Sequence, residues 1–269
     1  MADRILSSSR PRRRVPWFPA LAILLAGLGA LGGWWWESRK ADAAPDTVAA
    51  QLASAGIDAK QKAAIEGLVR AYILEHPEIL PEAMQNLQSN GAARQIAANR
   101  DRIETPFAGA VLGNPQGAVT LVQFTDYACT YCRQSLPDLA ALIAAHRDLR
   151  VVIRELPILS KGSEDAARMA LAAARQGKYP AFHEAMFHAS PPTPQAIASA
   201  AQSAGVDRAA AGGMVGSPEF TSELSTNLAL SRELGISGTP AWVVGNRLLI
   251  GAVGRDALEQ AIAEARKPA

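Results

Sequence analysis

Hydrophobic positions change their period along the chain, and each change marks a part. Residues 17–36, WFPALAILLAGLGALGGWWW, are apolar and uncharged from end to end. About 20 such residues suffice for a helix across a bilayer. From Ile57 to about Ile103 the period is helical. Ile65, Leu68, Val69, Tyr72 and Ile73 share one helix face, and such a stripe must be buried against something. His76-Pro77 ends that helix. Another restarts at Glu78, with Pro81 near its first turn and Ile79, Leu80, Met84 and Leu87 apolar. Gly91 is expected to interrupt it, with Arg94–Ile103 helical again.

Beyond Thr105-Pro106 strands and helices alternate. Val111-Leu112 and Ala118–Thr125 are predicted strands around the turn Gly113–Gly117, and the second is rich in β-branched residues, as a buried strand should be. Arg133–Arg147 places Leu136, Leu139, Ala140, Leu142 and Ile143 on one helix face. Leu149–Leu156 is the next strand, stopped by Pro157. A helix follows over Ser163–Gln176 with Ser163 as its cap, then helical patterns over 179–189, 194–204, 207–214 and 218–234. Val243–Ile250 is a hairpin around Gly245-Asn246, and Asp256–Ala265 is a closing helix. This order predicts an α/β domain with a helical insertion at about 160–235.

The chain's only two cysteines, Cys129 and Cys132, fall where the buried strand ends and a helix begins. The first turn of a helix has unpaired N–H groups and a partial positive charge. A thiolate there is stabilised, so its pKa drops from about 8.5 towards neutrality. Cys129, nearer the helix start, is the candidate attacking thiol, and Cys132 is placed to resolve a mixed disulfide. A strand–C-x-x-C–helix unit is a thioredoxin-type redox motif. Two other readings weigh against it. C-x-x-C is half a zinc site, but zinc normally takes four ligands, and His76, His146, His183 and His188 lie in separate segments, so no metal is expected. A structural disulfide across so short a loop would restrict the unfolded chain little.

Far downstream runs Gly235-Ile-Ser-Gly-Thr-Pro-Ala-Trp-Val-Val244, where a proline opens an apolar strand. Alone, that proline marks a strand start or an edge strand. Together with Phe124-Thr-Asp-Tyr-Ala-Cys-Thr-Tyr-Cys132 it resembles the thioredoxin superfamily in its DsbA-like branch, whose members carry F-x-D-Y-x-C-x-x-C and a late G-[TV]-P with a cis proline. The resemblance implies a thioredoxin-like α/β fold with a helical insertion, and catalysis by Cys129 and Cys132 through a redox-active disulfide with no other cofactor. It implies that Thr239 and Pro240 bind substrate, with Thr239–Pro240 cis and the Thr239 backbone offered to the client. Thr130 and Tyr131 then tune the potential. They match neither the Pro-His of strongly oxidising relatives nor the Gly-Pro of thioredoxin. Tyr131 with Thr239 resembles disulfide isomerases and ScsC-type members, whereas Thr130 fits no pattern. Glu155 reads first as a solvated strand-end charge, although family members use a buried carboxylate as a proton relay for the resolving thiol. Phe182-His183 matches a family pair and reads as core packing, as does Tyr127 near the site.

Upstream, VRAYILEHPEILPEAMQNLQ resembles the N-terminal helices of ScsC-type proteins, which hold those chains together as oligomers. A homo-oligomer is therefore expected, against the alternative that the stripe packs on its own catalytic domain.

Composition sets the compartment. The chain has 269 residues, 49% hydrophobic, enough for one domain and an appendage. Its net charge of +2 is uneven, with Arg4, Arg10, Arg12, Arg13 and Arg14 ahead of the apolar run and a slightly acidic remainder. Nothing in that remainder favours nucleic acid. The arginines should stay in the cytoplasm and Trp34–Trp36 at the interface, so the rest is exported to the periplasm. The rival is a signal peptide with its core at Ala20–Leu31 and an A-x-A site at Ala41–Ala43. The expected layout is a basic cytoplasmic segment 1–16, an anchor or signal helix 17–36, a linker 37–56, an all-α oligomerisation segment 57–104 and the catalytic domain 105–269. The expected function is that of a thiol–disulfide isomerase or reductase acting on exported proteins with cysteines. It would be served by a membrane redox partner of the DsbD or DsbB type. A DsbA-like oxidase is the alternative. A copper-binding protein holding Cu(I) between two thiolates is a third reading, from another class.

Overall fold

The structure, a computed structural model, describes residues 55–267 and divides into two units, up to Ile79 and from Leu80. The basic segment 1–16, the apolar run 17–36 and nearly all of the linker lie outside the described residues. Among the described residues no helix is long and apolar enough to cross a membrane.

Among the described residues of the first unit, Ala59–Glu75 form helix α1. Asp58 caps it by accepting from the Lys60 and Gln61 N–H groups at 2.8 Å, while Gln61 Oε1 accepts from the Asp58 N–H at 2.9 Å. That reciprocal pair satisfies donors that have no partner inside the helix. No residue of α1 is buried, and Ile65, Leu68, Val69, Tyr72 and Leu74 are exposed. Helix α2, Ile79–Glu104, runs unbroken for 26 residues through Gly91. The expected interruption is absent. A mid-helix glycine costs about 1 kcal/mol relative to alanine, and the helix formers Ala92, Ala93 and Arg94 follow it directly. Leu80, Met84 and Leu87 are exposed, whereas Ile96 and Ile103 are fully buried.

The catalytic fold continues with strands β1 (Val111–Gly113) and β2 (Val119–Thr125), helices α3 (Thr130–Gln134) and α4 (Leu136–Ala145), and strand β3 (Leu149–Glu155). Five helices follow: α5 (Lys161–Arg175), α6 (Tyr179–Ala189), α7 (Pro194–Ser203), α8 (Arg208–Met214) and α9 (Pro218–Glu233). Strands β4 (Ala241–Val244) and β5 (Arg247–Ile250) and helix α10 (Arg255–Ala265) close the chain. The predicted helix Arg133–Arg147 is two helices that meet at Ser135, with Pro137 near the start of the second. The cap of α5 is Ser160, not Ser163. Strand β4 starts directly after Pro240, because its pairing with β2 extends to Ala241.

The sheet order is β1-β3-β2-β4-β5, with β2 and β3 parallel and the other pairs antiparallel. Successive side chains on a strand take opposite faces. Leu121, Val151, Trp242 and Val244 join the core that includes α4, α10 and the insertion helices. Val122, Phe124, Val152 and Val243 join a second core with Ile96 and Ile103 of α2 and Leu230 of α9. A sheet covered on both faces explains the near-continuous apolar run of β2.

The end of α2 thus belongs to the catalytic fold, and the predicted boundary at residue 105 cuts through a core. The reason is polar as well as apolar. Helix C-termini leave carbonyls without partners. The buried Arg154 guanidinium donates to the carbonyls of Arg102, Ile103 (3.1 Å) and Thr105 (2.5 Å), and to Glu223 (3.0 Å) and Asn227 (3.2 Å). Arg154→Ala strands these acceptors. It is expected to destabilise the fold by about 3 kcal/mol or more, read as a fall in the urea midpoint. A loss below about 1 kcal/mol would show that the α2 carbonyls find water instead.

Candidate active site

Strand β2 ends at Thr125, and the loop after it is organised by Asp126. Its carbonyl accepts from the Cys129 N–H (3.0 Å) and its Oδ1 from the Ala128 N–H (2.8 Å). Its Oδ2 accepts from the Ile158 and Leu159 N–H groups at 2.8 and 2.9 Å. One carboxylate therefore ties the cysteine loop to the segment after β3.

Cys129 is the N-cap of α3, in extended backbone conformation, and its Sγ accepts from the Cys132 N–H at 3.3 Å. The same sulfur lies 3.2 Å from the Thr239 carbonyl oxygen. Thr239 arrives there because β4 pairs with β2 in the register Phe124↔Ala241, two residues past Thr239. The Thr239–Pro240 bond is cis. The helix behind the cysteines is a single short turn, so the local donors matter more than a long dipole. The Cys129 thiol is pulled down to about 6, first by the Cys132 thiol beside it, then by Thr239 and the Cys132 and Tyr131 N–H groups, against the opposing effect of burial. Cys132 is fully buried, and burial pushes its thiol well above the ordinary range. Both are free thiols. One sulfur is thus a thiolate at neutral pH while the other keeps its proton until a disulfide forms beside it. Thr130 and Tyr131 are exposed between them.

Glu155 is not a solvated strand-end charge. It is 1% exposed, because β3 is an inner strand whose end is covered by the insertion. Its Oε1 accepts from the hydroxyls of Tyr127 (3.0 Å) and Tyr179 (2.6 Å). His183 Nδ1 lies 3.0 Å from the Tyr127 hydroxyl. Burial raises the Glu155 carboxyl to about 8, with the two phenols acting against it and the Asp126 and Glu223 charges adding to it. Burial also holds the His183 imidazole down to about 3. At neutral pH the cluster is uncharged, with a protonated carboxyl, two phenols and a neutral ring. Tyr127 and His183 pack in the core, as their sequence context implied, and the Tyr127 carbonyl also accepts from Ser190 Oγ (3.1 Å). Tyr179 escaped the sequence reading. Its signal was present, since Tyr179 and His183 are four apart on α6 and so share a face. The two roles of Asp126 also escaped it. Among the described residues no three of His, Cys, Asp and Glu come together as metal ligands.

Residues 120–263 match the family described as DSBA-like thioredoxin domain, and residues 61–94 match the N-terminal domain of copper resistance protein ScsC. A thioredoxin-like oxidoreductase from Silicibacter pomeroyi is 41% identical, with a TM-score of 0.61, over 64% of this chain and 99% of that one. ScsC of Proteus mirabilis in a transitional conformation is 31% identical, with a TM-score of 0.59, over 78% and 97%. A periplasmic thioredoxin-like protein from Salmonella enterica serovar Typhimurium is 32% identical, with a TM-score of 0.54, over 62% and 94%. Among curated proteins, a Na(+)/H(+) antiporter NhaA 3 of Salinispora tropica is 26% identical over 158 residues. The chain spans about a quarter (24%) of that relative's length.

Alkylation of the reduced protein by iodoacetamide is expected to modify Cys129 with a midpoint near pH 6 and to spare Cys132. A midpoint above about pH 8, the range of an ordinary thiol, would remove the nucleophile. The buried carboxyl gives a second expectation. The unfolded chain releases the Glu155 proton near pH 4.3 and the folded one near 8, so in this window the native state holds the extra proton and stability falls as pH rises. Glu155→Gln should therefore gain stability relative to the native chain between about pH 4.5 and 8. Groups common to both proteins cancel in that difference, and a difference flat with pH in chemical denaturation would contradict the burial account.

Proposed function

Because the chain belongs to the DsbA-like thioredoxin family, whose members exchange thiols and disulfides, we propose that it is a periplasmic disulfide isomerase or reductase working through Cys129-Thr130-Tyr131-Cys132. The observation that carries this is the Cys129 thiol, lowered to about 6 by the Cys132 thiol, the Thr239 side chain and the Cys132 N–H, with a protonated Cys132 behind it. The Cys129 thiolate attacks one sulfur of a client disulfide. That S–S bond breaks, the other client sulfur leaves as a thiolate, and a Cys129–client disulfide forms. As an isomerase, the freed client thiolate attacks a second client disulfide, and a later client thiolate displaces Cys129, with no net redox change. As a reductase, Cys132 loses its proton and attacks Cys129, which closes the Cys129–Cys132 disulfide and leaves the client with two thiols. Electrons then return from a membrane partner of the DsbD type.

Thr239 presents its backbone to the client beside Pro240, and Thr130 and Tyr131 set the potential. The ionised fraction of Glu155 takes up the Cys132 proton. Support comes from Thr125, which lies against the Cys132 thiol and pairs in register with Glu155. A carboxyl near 8 both accepts and returns a proton close to neutral pH.

The isomerase direction draws on the exposed apolar residues of α1 and α2. Leu68, Tyr72, Leu80 and Leu87 are exposed among the described residues, and several copies meeting along them would gather several active sites on one client. The segment 17–36 holds the protein at the inner membrane or is removed on export. A second reading, Cu(I) held by the two thiols, draws on the copper-resistance name of the family matched at 61–94. Uptake of one Cu(I) with no disulfide turnover would replace the enzyme reading with it.

Reactivation of scrambled ribonuclease by residues 44–269 and by residues 94–269 tests the proposal. The shorter piece keeps Ile96, Ile103 and their contacts. Only the longer piece should reactivate, and only it should exceed monomer mass in light scattering. If neither reactivates and both oxidise reduced ribonuclease, the direction is that of an oxidase.

A further inference from the structure

A groove of about 460 Å³ lies between β1 and α4 on one side and α6 on the other, within the size range of small-molecule sites. Its walls are Leu112 of β1, Leu136, Ala140 and Ile143 of α4, and Pro180 of α6. Arg133 and Glu184, one of each sign, also line it. His183 lines it too, although that residue is only 1% exposed. The imidazole is held on its other sides. Its Nδ1 lies 3.0 Å from the Tyr127 hydroxyl, the Tyr179 ring stacks on it with centroids 5.5 Å apart, and the Phe187 ring meets it edge-on at 5.0 Å. The hydrogen bonds assign the tautomer. The Tyr127 and Tyr179 hydroxyls each donate their one proton to Glu155 Oε1. The Tyr127 oxygen then accepts from His183, so Nδ1 carries the imidazole proton and Nε2 is a bare acceptor. Nε2 is buried and has no hydrogen-bond partner. A buried acceptor left without a donor costs the desolvation of that group. Nothing in the thiol–disulfide chemistry above uses this nitrogen.

We propose that this groove binds a small neutral phenol, whose hydroxyl donates to His183 Nε2 while its ring and apolar substituents lie against Leu136, Ala140 and Pro180. Each part of the occupant follows from a wall. The apolar sides take an aromatic body, and the single bare acceptor takes one O–H donor. The imidazole and the Glu155 carboxyl behind it are uncharged at neutral pH, and Arg133 and Glu184 are opposite in sign, so neither a cation nor an anion is favoured. A small molecule fits better than a protein segment. None of the large hydrophobic residues exposed among the described residues lines the groove, so no apolar surface adjoins it for a protein partner to bury. The walls also leave out both cysteines, Thr239 and Pro240, so the groove is separate from the place where disulfides are exchanged. A donor on Nε2 holds the imidazole proton on Nδ1 and keeps the Tyr127 hydroxyl turned to Glu155. Occupancy is thereby felt at Tyr127, two residues before Cys129.

The test titrates the full-length chain, labelled with heavy nitrogen at histidine, with p-cresol and with p-xylene, in which a methyl group replaces the hydroxyl. p-Cresol is expected to bind with a Kd of about 1 mM or lower. It should shift the His183 Nε2 resonance upfield, as a bare imidazole nitrogen does when it accepts a hydrogen bond. His183→Phe keeps a ring in place and removes the acceptor. It should lower the ratio of cresol affinity to xylene affinity about tenfold, equal to about 1.4 kcal/mol. The ratio compares two probes on one protein, so a partial loss of folded variant does not mimic the effect. Ala140→Trp changes an exposed helix position, leaves His183 in place and fills the groove, so it should abolish binding of both probes. No saturable binding of p-cresol to the native chain, an unchanged affinity ratio in His183→Phe, or undiminished binding to Ala140→Trp would each overturn the site. A short capped peptide with one tyrosine that binds more tightly than p-cresol would also overturn it, in favour of a protein segment.

Discussion

A thiolate persists on a protein only where fixed donors replace the water around it, and at Cys129 those donors come from two parts of the chain. The Cys132 thiol and N–H come from one turn further along the same helix. The Thr239 side chain comes from more than a hundred residues away, delivered by the β2–β4 register. A slip of one residue in that register would turn every β4 side chain to the other face. It would move Thr239 off the sulfur and take Trp242 and Val244 out of their core. The chemistry of the site and the packing of the sheet are thus one constraint. The same sheet that buries Cys132 leaves Cys129 at its rim.

Behind the cysteines lies a second group of polar residues that uses burial differently. Glu155, Tyr127, Tyr179 and His183 come from β3, from the cysteine loop and from α6. In water the carboxyl would be ionised. In the core its proton stays on because burial penalises the charged form and the two phenols offset only part of that penalty. This uncharged cluster connects the helical insertion to Tyr127, two residues before Cys129. The insertion thereby shapes the loop without supplying a group to the sulfur.

Helix α2 is divided in its loyalties along its length. Its last turns are core, held by Ile96, Ile103 and the Arg154 guanidinium. Its first turns carry Leu80, Met84 and Leu87 into solvent. An amphipathic stripe states only that something must cover it.

By itself the sequence determined the strand–cysteine–helix junction, the strand after Pro240, the alternation of strands and helices, and the helical insertion. Each is a local pattern, set by side-chain period, turn residues and the placement of two cysteines. Tertiary structure alone decided four things. It ended the helix at Ser135, since Pro137 and the packing of α4 outweigh the apolar period. It buried Glu155, because a strand-end carboxylate looks solvated until an insertion helix is laid over it. It assigned residues 96–104 to the catalytic core, because Arg154 lies some fifty residues from the carbonyls it satisfies. It also brought Asp126 to the Ile158 and Leu159 N–H groups. In the last three the deciding partner is distant in the chain, and a period of two or of 3.6 residues carries no information about which distant segment will arrive.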